Sequence, residues 1–244
     1  AYVRAELEHW GREFALHRDC EYLGHQSKNL LAVLMEHHEM PGRAQGFKPM
    51  ETDPRAQAIQ GKPRYLSMVA GVELGMDGVC FIGYHARSRA HGILAHTINS
   101  FAFARISLNG RELGEAGIYG ALAGAYGVPV IAASGDDAFI AETRDLFPHA
   151  HFVQTKRATG ANSGISLSPE RACAAIREGV SQGTARAGQA RPFRIDGPVT
   201  VDLEAQSVAL ADLFCQWPTL ERTAPDALRF TASDTESAVR MVNC

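Results

Sequence analysis

The sequence predicts an α/β protein with a mainly parallel sheet flanked by helices and a smaller C-terminal α+β lobe. Three observations predict it. Residues 78–84 and 128–133 are short, nearly all apolar, β-prone runs, as expected of strands buried on both faces of a parallel sheet. The second run passes through Ser134-Gly135-Asp136-Asp137 into a helical pattern over 138–146, making one unit of strand, acidic turn and helix. After a Gly-, Pro- and Arg-rich stretch over 183–197, Val199, Val201 and Leu203 alternate with Thr200 and Asp202, the pattern of a half-buried strand. The expected organisation is an α/β metal-site domain over 1–182, then a linker and small α+β lobe over 183–244.

Taken in order, Val3, Leu7, Trp10 and Phe14 share one helical face in the first segment. Residues 30–35 are apolar enough for a short helix, and residues 40–64, rich in Pro, Gly and charge, read as a long surface connection. Residues 103–108 form a strand that meets Asn109-Gly110, the dipeptide suited to a type I′ hairpin turn. Residues 115–126 are a helix rich in Ala and Gly, whose small side chains permit close packing. Ser168-Pro169-Glu170 places Ser at an N-cap and Pro at the first helical position, opening a helix over 171–180. Residues 228–231 read as a strand and 234–242 as a closing helix. The chain opens on AYVRAELEHWGREF, without an initiator Met or a continuous apolar signal segment; the expectation is that the true N-terminus and a first strand lie outside it.

Composition narrows the function. Twenty-four basic against 27 acidic residues give a net charge of -3 with no dense basic run, which leaves nucleic-acid and membrane-surface roles without electrostatic support. No apolar stretch is long enough to span a bilayer. The five cysteines are odd in number and scattered, with no Cys-x-x-Cys pair, which fits reduced thiols in a cytoplasm. A small-molecule or peptide ligand is the default.

The groups able to do chemistry gather after residue 83. Parallel sheets place ligands beyond the C-terminal ends of their strands, and His85 occupies such a position as either a zinc ligand or a structural side chain. Gly92 would let the following loop fold back so that His96 shares a pocket with His85, there to transfer protons or merely to fill the loop. His91, beside Gly92, is expected to be solvated. Glu115 opens the small-residue helix, where the dipole favours a carboxylate with or without a metal. Asp136 and Asp137 read more readily as N-cap groups than as cation ligands. Lys156 and Arg157 either bind a substrate carboxylate or oxyanion, or form an exposed basic loop. A metal-independent amidase fits poorly: Cys80 lies inside a buried strand and there is no Gly-x-Ser-x-Gly elbow.

Between Ser67 and Pro169, several motifs occur together in one order. They are Ser67-Met68-Val69, Gly83-Tyr84-His85-Ala86-Arg87, His96-Thr97, Asn109-Gly110-Arg111, Gly114-Glu115, Gly127-Val128-Pro129-Val130 and Ser134-Gly135-Asp136-Asp137. This segment resembles the bacterial zinc-dependent D-aminopeptidases of the dipeptide-transport-operon type. The resemblance implies a two-zinc enzyme that hydrolyses short peptides with a free N-terminal D-amino acid and assembles into a ring-like homo-oligomer. It also implies that His85 and Glu115 are zinc ligands and His96 the catalytic histidine. The family's first-strand Asp-x-Glu-Gly has no counterpart before His25. Its Asp-x-His turn is approximated by Gly24-His25-Gln26-Ser27-Lys28-Asn29-Leu30, without the Asp, and His25 is carried over from it as a further metal ligand. His37-His38-Glu39 is a weaker cluster, because adjacent imidazoles on a helix point apart. The absent Asp-x-Glu motivates one alternative, a catalytically impaired relative serving as an oligomeric binding or scaffolding subunit.

Overall fold

The computed structural model describes residues 30–34, 59 and 64–243. Two five-stranded sheets organise the described residues. The first has the order β1 (Leu30–Leu34), β2 (Gly78–Tyr84), β5 (Val130–Asp136), β6 (His151–Gly160) and β7 (Ser163–Ser166). Its first four strands run parallel, and β7 returns antiparallel at the edge. The second sheet is antiparallel, in the order β4 (Arg111–Glu112), β3 (Phe103–Leu108), β8 (Val199–Ala205), β10 (Ala227–Ala232) and β9 (Glu221–Ala224). The α/β class with a mainly parallel sheet is what the sequence predicts. The second sheet, however, takes β3 and β4 from well before residue 183.

The two apolar runs behave as doubly buried strands. Along β2, Val79 and Phe81 enter the main core, while Cys80 and Ile82 enter a second, smaller one. Helix α3 (Pro169–Ala185) covers that second core with Ile176. Its cap is the expected one, with Ser168 accepting the N–H of Arg171 and Pro169 at the first turn. On the main-core side lie α1 (Glu115–Ala125), α2 (Asp137–Thr143) and α5 (Thr235–Val242), together with the inward residues of the second sheet. A short helix α4 (Val208–Phe214) follows β8.

Helix α1 is buried from Glu115 to Gly124. A helix without a polar face belongs inside a core, and its glycines permit the close approach. A Cβ at Gly124 would lie 1.7 Å from the carbonyl oxygen of Phe193, and one at Gly120 2.5 Å from the Phe147 ring. The 109–110 turn also follows its residue types: Asn109 and Gly110 have φ of 49° and 76° as β3 folds onto β4.

Three expectations change. The segment beginning at Leu30 is a strand, not a short helix. Five apolar residues carry no decisive period, and pairing with β2 from Leu30–Gly78 to Leu34–Ile82 settles the matter. Residues 134–136 extend β5 instead of forming a turn, so the helix starts abruptly at Asp137. Lys156 and Arg157 lie on β6, paired to β5 and β7, and not in a loop. The helical pattern over residues 1–18 and most of the connection over 40–64 lie outside the described residues.

Candidate metal centre

The C-terminal end of β2, the loop that follows it and the start of α1 converge on one spot. Among the described residues, His85, His96 and Glu115 form a group that could hold a metal ion, with one donor atom from each lying within 4.8 Å of the others. Each comes from a different local device.

His85 follows the last residue of β2 and is 9% exposed. Its Nδ1–H donates to the carbonyl of Ala86 at 2.9 Å, which leaves Nε2 as the free-electron-pair nitrogen, 3.8 Å from Glu115 Oε1. The loop then doubles back, as Gly92 suggested. The N–H of His96 donates to the same Ala86 carbonyl at 3.2 Å, and the N–H of Ser88 donates to Thr97 Oγ1 at 3.0 Å. The two imidazoles stack with centroids 4.0 Å apart and planes 20° from parallel. Gly92 serves through close approach: a Cβ there would lie 3.0 Å from Ala86 Cβ.

His96 has the same tautomer by the same logic. Its Nδ1–H donates to the carbonyl of Leu94 at 2.7 Å, turning Nε2 to within 3.5 Å of Glu115 Oε1. It is 24% exposed against 5% for Glu115, so it is the member open to an incoming molecule.

Glu115 begins α1, one residue after its N-cap Gly114. Its Oε1 accepts the N–H of Ile98 at 2.7 Å. Burial raises the carboxyl above its ordinary range, opposed by His96 and by the Ile98 hydrogen bond. Tyr84, buried and close enough for Glu115 to raise its phenol further, has no hydrogen-bond partner for its hydroxyl among the described residues. Two imidazoles and a buried carboxylate are a donor set that suits a zinc-sized cation, which would offset the desolvation of Glu115.

The remaining candidates fall elsewhere. Asp136 caps α2 by accepting the N–H of Phe139 at 2.8 Å, and Asp137 accepts the N–H of Ala158 at 2.8 Å, so both carboxylates hold backbone. His91 is exposed. Lys156 and Arg157 are not part of the His85, His96 and Glu115 group. His25 lies outside the described residues, as does the 37–39 cluster. A separate cavity of about 220 Å³ is lined by Arg87, Arg111, Glu112, Leu113, Gly114, Glu142 and Leu146. Glu142 accepts the backbone N–H of Arg87 there.

Sequence reasoning missed Ile98, because a backbone N–H aimed by a left-handed residue has no side-chain signature. Its φ is 59°, and Leu94 and Arg89 in the same loop have 55° and 64°. Three non-glycine residues in that conformation within ten positions mark a loop held against local preference.

A family model described as D-aminopeptidase matches residues 37–244. A curated D-aminopeptidase from Bacillus subtilis (strain 168) is 28% identical over 182 residues, 74% of this chain and 66% of that protein, just under two thirds of its length. A solved structure, the "Zn-dependent D-aminopeptidase DppA from Bacillus subtilis, a self-compartmentalizing protease", matches 99% of this chain and 86% of its own. It does so with a TM-score of 0.81 at 24% identity, which shows a common fold.

Proposed function

The chain belongs to the D-aminopeptidase family, and on that premise we propose that it is a zinc-dependent aminopeptidase hydrolysing short peptides with a free N-terminal D-amino acid. The observation that carries the reading is the convergence of His85, His96 and Glu115 within 4.8 Å at the carboxyl end of a parallel sheet.

In this reading His85 and Glu115 hold zinc, with His25 as a further ligand, and two ions complete the centre. Bound zinc supplies Lewis-acid chemistry for a scissile carbonyl and for a water nucleophile. The protein supplies the rest. His85 presents Nε2 because its Nδ1–H is donated to the Ala86 carbonyl, and Glu115 brings a carboxylate into a buried place. His96, the more exposed imidazole, exchanges a proton with the attacking water or the leaving nitrogen through Nε2. Lys156 and Arg157, on the neighbouring strand, are the cations offered to a peptide carboxylate.

The self-compartmentalizing description of the B. subtilis structure supports assembly of this chain into a ring-like homo-oligomer. A cytoplasmic location is supported by the scattered cysteines, of which Cys80 and Cys215 are free. No helix among the described residues is long and apolar enough to cross a membrane. The scaffold-only alternative gains nothing from a site in which all three groups are assembled.

The test is zinc per subunit by elemental analysis of protein purified without chelators, alongside hydrolysis of D-Ala-D-Ala and L-Ala-L-Ala. About two zinc ions and faster turnover of the D-dipeptide are expected. Protein that takes up no zinc and cleaves neither peptide would return the scaffold reading.

A further inference from the structure

Asp136 is 1% exposed, and it does more than cap a helix. Its Oδ1 accepts the N–H of Phe139, which is all that an N-cap requires. Its Oδ2 reaches across to accept the N–H of Ile93 at 2.6 Å, 43 residues earlier in the chain. Ile93 lies in the loop that carries His96.

The contacts continue from there without a gap. The N–H of Leu94 donates to the carbonyl of Ala161, beyond β6, at 2.7 Å. Leu94 itself is left-handed, at φ 55°, a conformation that persists in a leucine only where its surroundings hold it. That conformation aims the Leu94 carbonyl at His96 Nδ1. The peptide groups before and after the Ile93 α-carbon are thus fixed from the end of β5 and from the turn after β6, by a buried carboxylate on one side and a carbonyl on the other. Gly92 clears the approach: a Cβ there would lie 3.1 Å from Asp136 Oδ2.

We propose that Asp136 is a positioning residue for His96: through Ile93 and Leu94 it holds the imidazole in the Nδ1–H tautomer with Nε2 turned to Glu115. The catalytic meaning of this rests on the aminopeptidase reading, but the tautomer does not. Second partners of this kind set the orientation of a functional histidine, and losing one typically costs about 10- to 100-fold in activity.

Asp136→Asn is the sharpest test. The amide has a single acceptor oxygen, so it can serve Phe139 or Ile93 but not both. Gly92→Ala is the second variant; it crowds the same contact while leaving the carboxylate and the cap chemistry intact. Long-range ¹H–¹⁵N spectra of the histidine rings in metal-free full-length protein report the tautomer. The zinc-loaded protein is then assayed on D-Ala-D-Ala. The wild type should show a single His96 species protonated at Nδ1. Both variants should lose that single species, and kcat should fall about 10- to 100-fold with KM and zinc content unchanged. An unchanged Nδ1–H signal for His96 in folded Asp136→Asn or Gly92→Ala overturns the proposal and leaves Asp136 as a helix cap. A wild type that shows the tautomer but cleaves no peptide defeats the aminopeptidase reading alone.

Discussion

Ile98 donates its backbone N–H to Glu115 Oε1 at 2.7 Å from a left-handed conformation that β-branched residues seldom adopt. The loop accepts local strain to place one donor on a buried carboxylate. With Glu115 raised by burial, its contribution to the stability of metal-free protein is present below the ordinary carboxylate range and lost as pH rises through its elevated value. At pH 8, then, metal-free Glu115→Gln should be more stable than metal-free wild type, and zinc should reverse the order. Urea denaturation with and without chelator measures both; the same order in both conditions would count against Glu115 as a ligand.

The two histidines should separate by role. His96→Ala is expected to lower turnover about 10²- to 10⁴-fold while zinc stays bound, as for a lost proton-transfer group. His85→Ala should release zinc. Elemental analysis and steady-state kinetics on the same preparations check this, and loss of zinc from His96→Ala would exchange the assignments.

Glu142 offers a pH signature away from the metal centre. Burial pushes its carboxyl up from 4.5 to about 7, against the opposing hydrogen bond and charge of Arg87. Its contribution is complete below the lower value and disappears as pH rises to the upper one, a loss on the order of 3 kcal/mol. Glu142→Gln should therefore flatten the decline in stability of the wild type between pH 4.5 and 7. Parallel denaturation curves for the two proteins across that window would show that the carboxyl titrates normally.

Glycines at two positions should respond oppositely to a methyl group. Gly124→Ala drives a Cβ into the Phe193 carbonyl and should cost about 1–3 kcal/mol or more, as overpacking does. Gly188→Ala meets nothing within 4 Å and should be neutral or slightly stabilising. Thermal midpoints of the two variants decide it.

Much of the molecule was readable from residue types. Residues 78–84 announced β2, Asn109-Gly110 the hairpin and Ser168-Pro169 the start of α3, because each rests on local stereochemistry. Residues 30–34 were misread as helix because only the neighbouring strand resolves so short an apolar run. Strand β6 escaped notice because its alternation is muted: Val153 and Thr155 are buried, but Gln154, Lys156 and Arg157 make the segment look like a polar loop. In the site, the side-chain donors were visible and their supports were not. Ile98 and Leu94 act through main-chain atoms, and Asp136 looked like a cap because half of its work is capping.

Strand β3 leads, through β4, straight to Glu115, yet it is completed by β8: Ile106 pairs with Leu203 and Leu108 with Val201. Residues nearly a hundred positions apart must therefore meet before the hairpin leading to Glu115 has its neighbour. On the ribosome, the stretch from His85 to Glu115 emerges long before β8 does, so the candidate metal group would wait, incomplete, for roughly the last fifth of the chain. Nascent chains halted before residue 199 should accordingly lack a finished site, which makes the assembly of His85, His96 and Glu115 a late event in the life of each new chain.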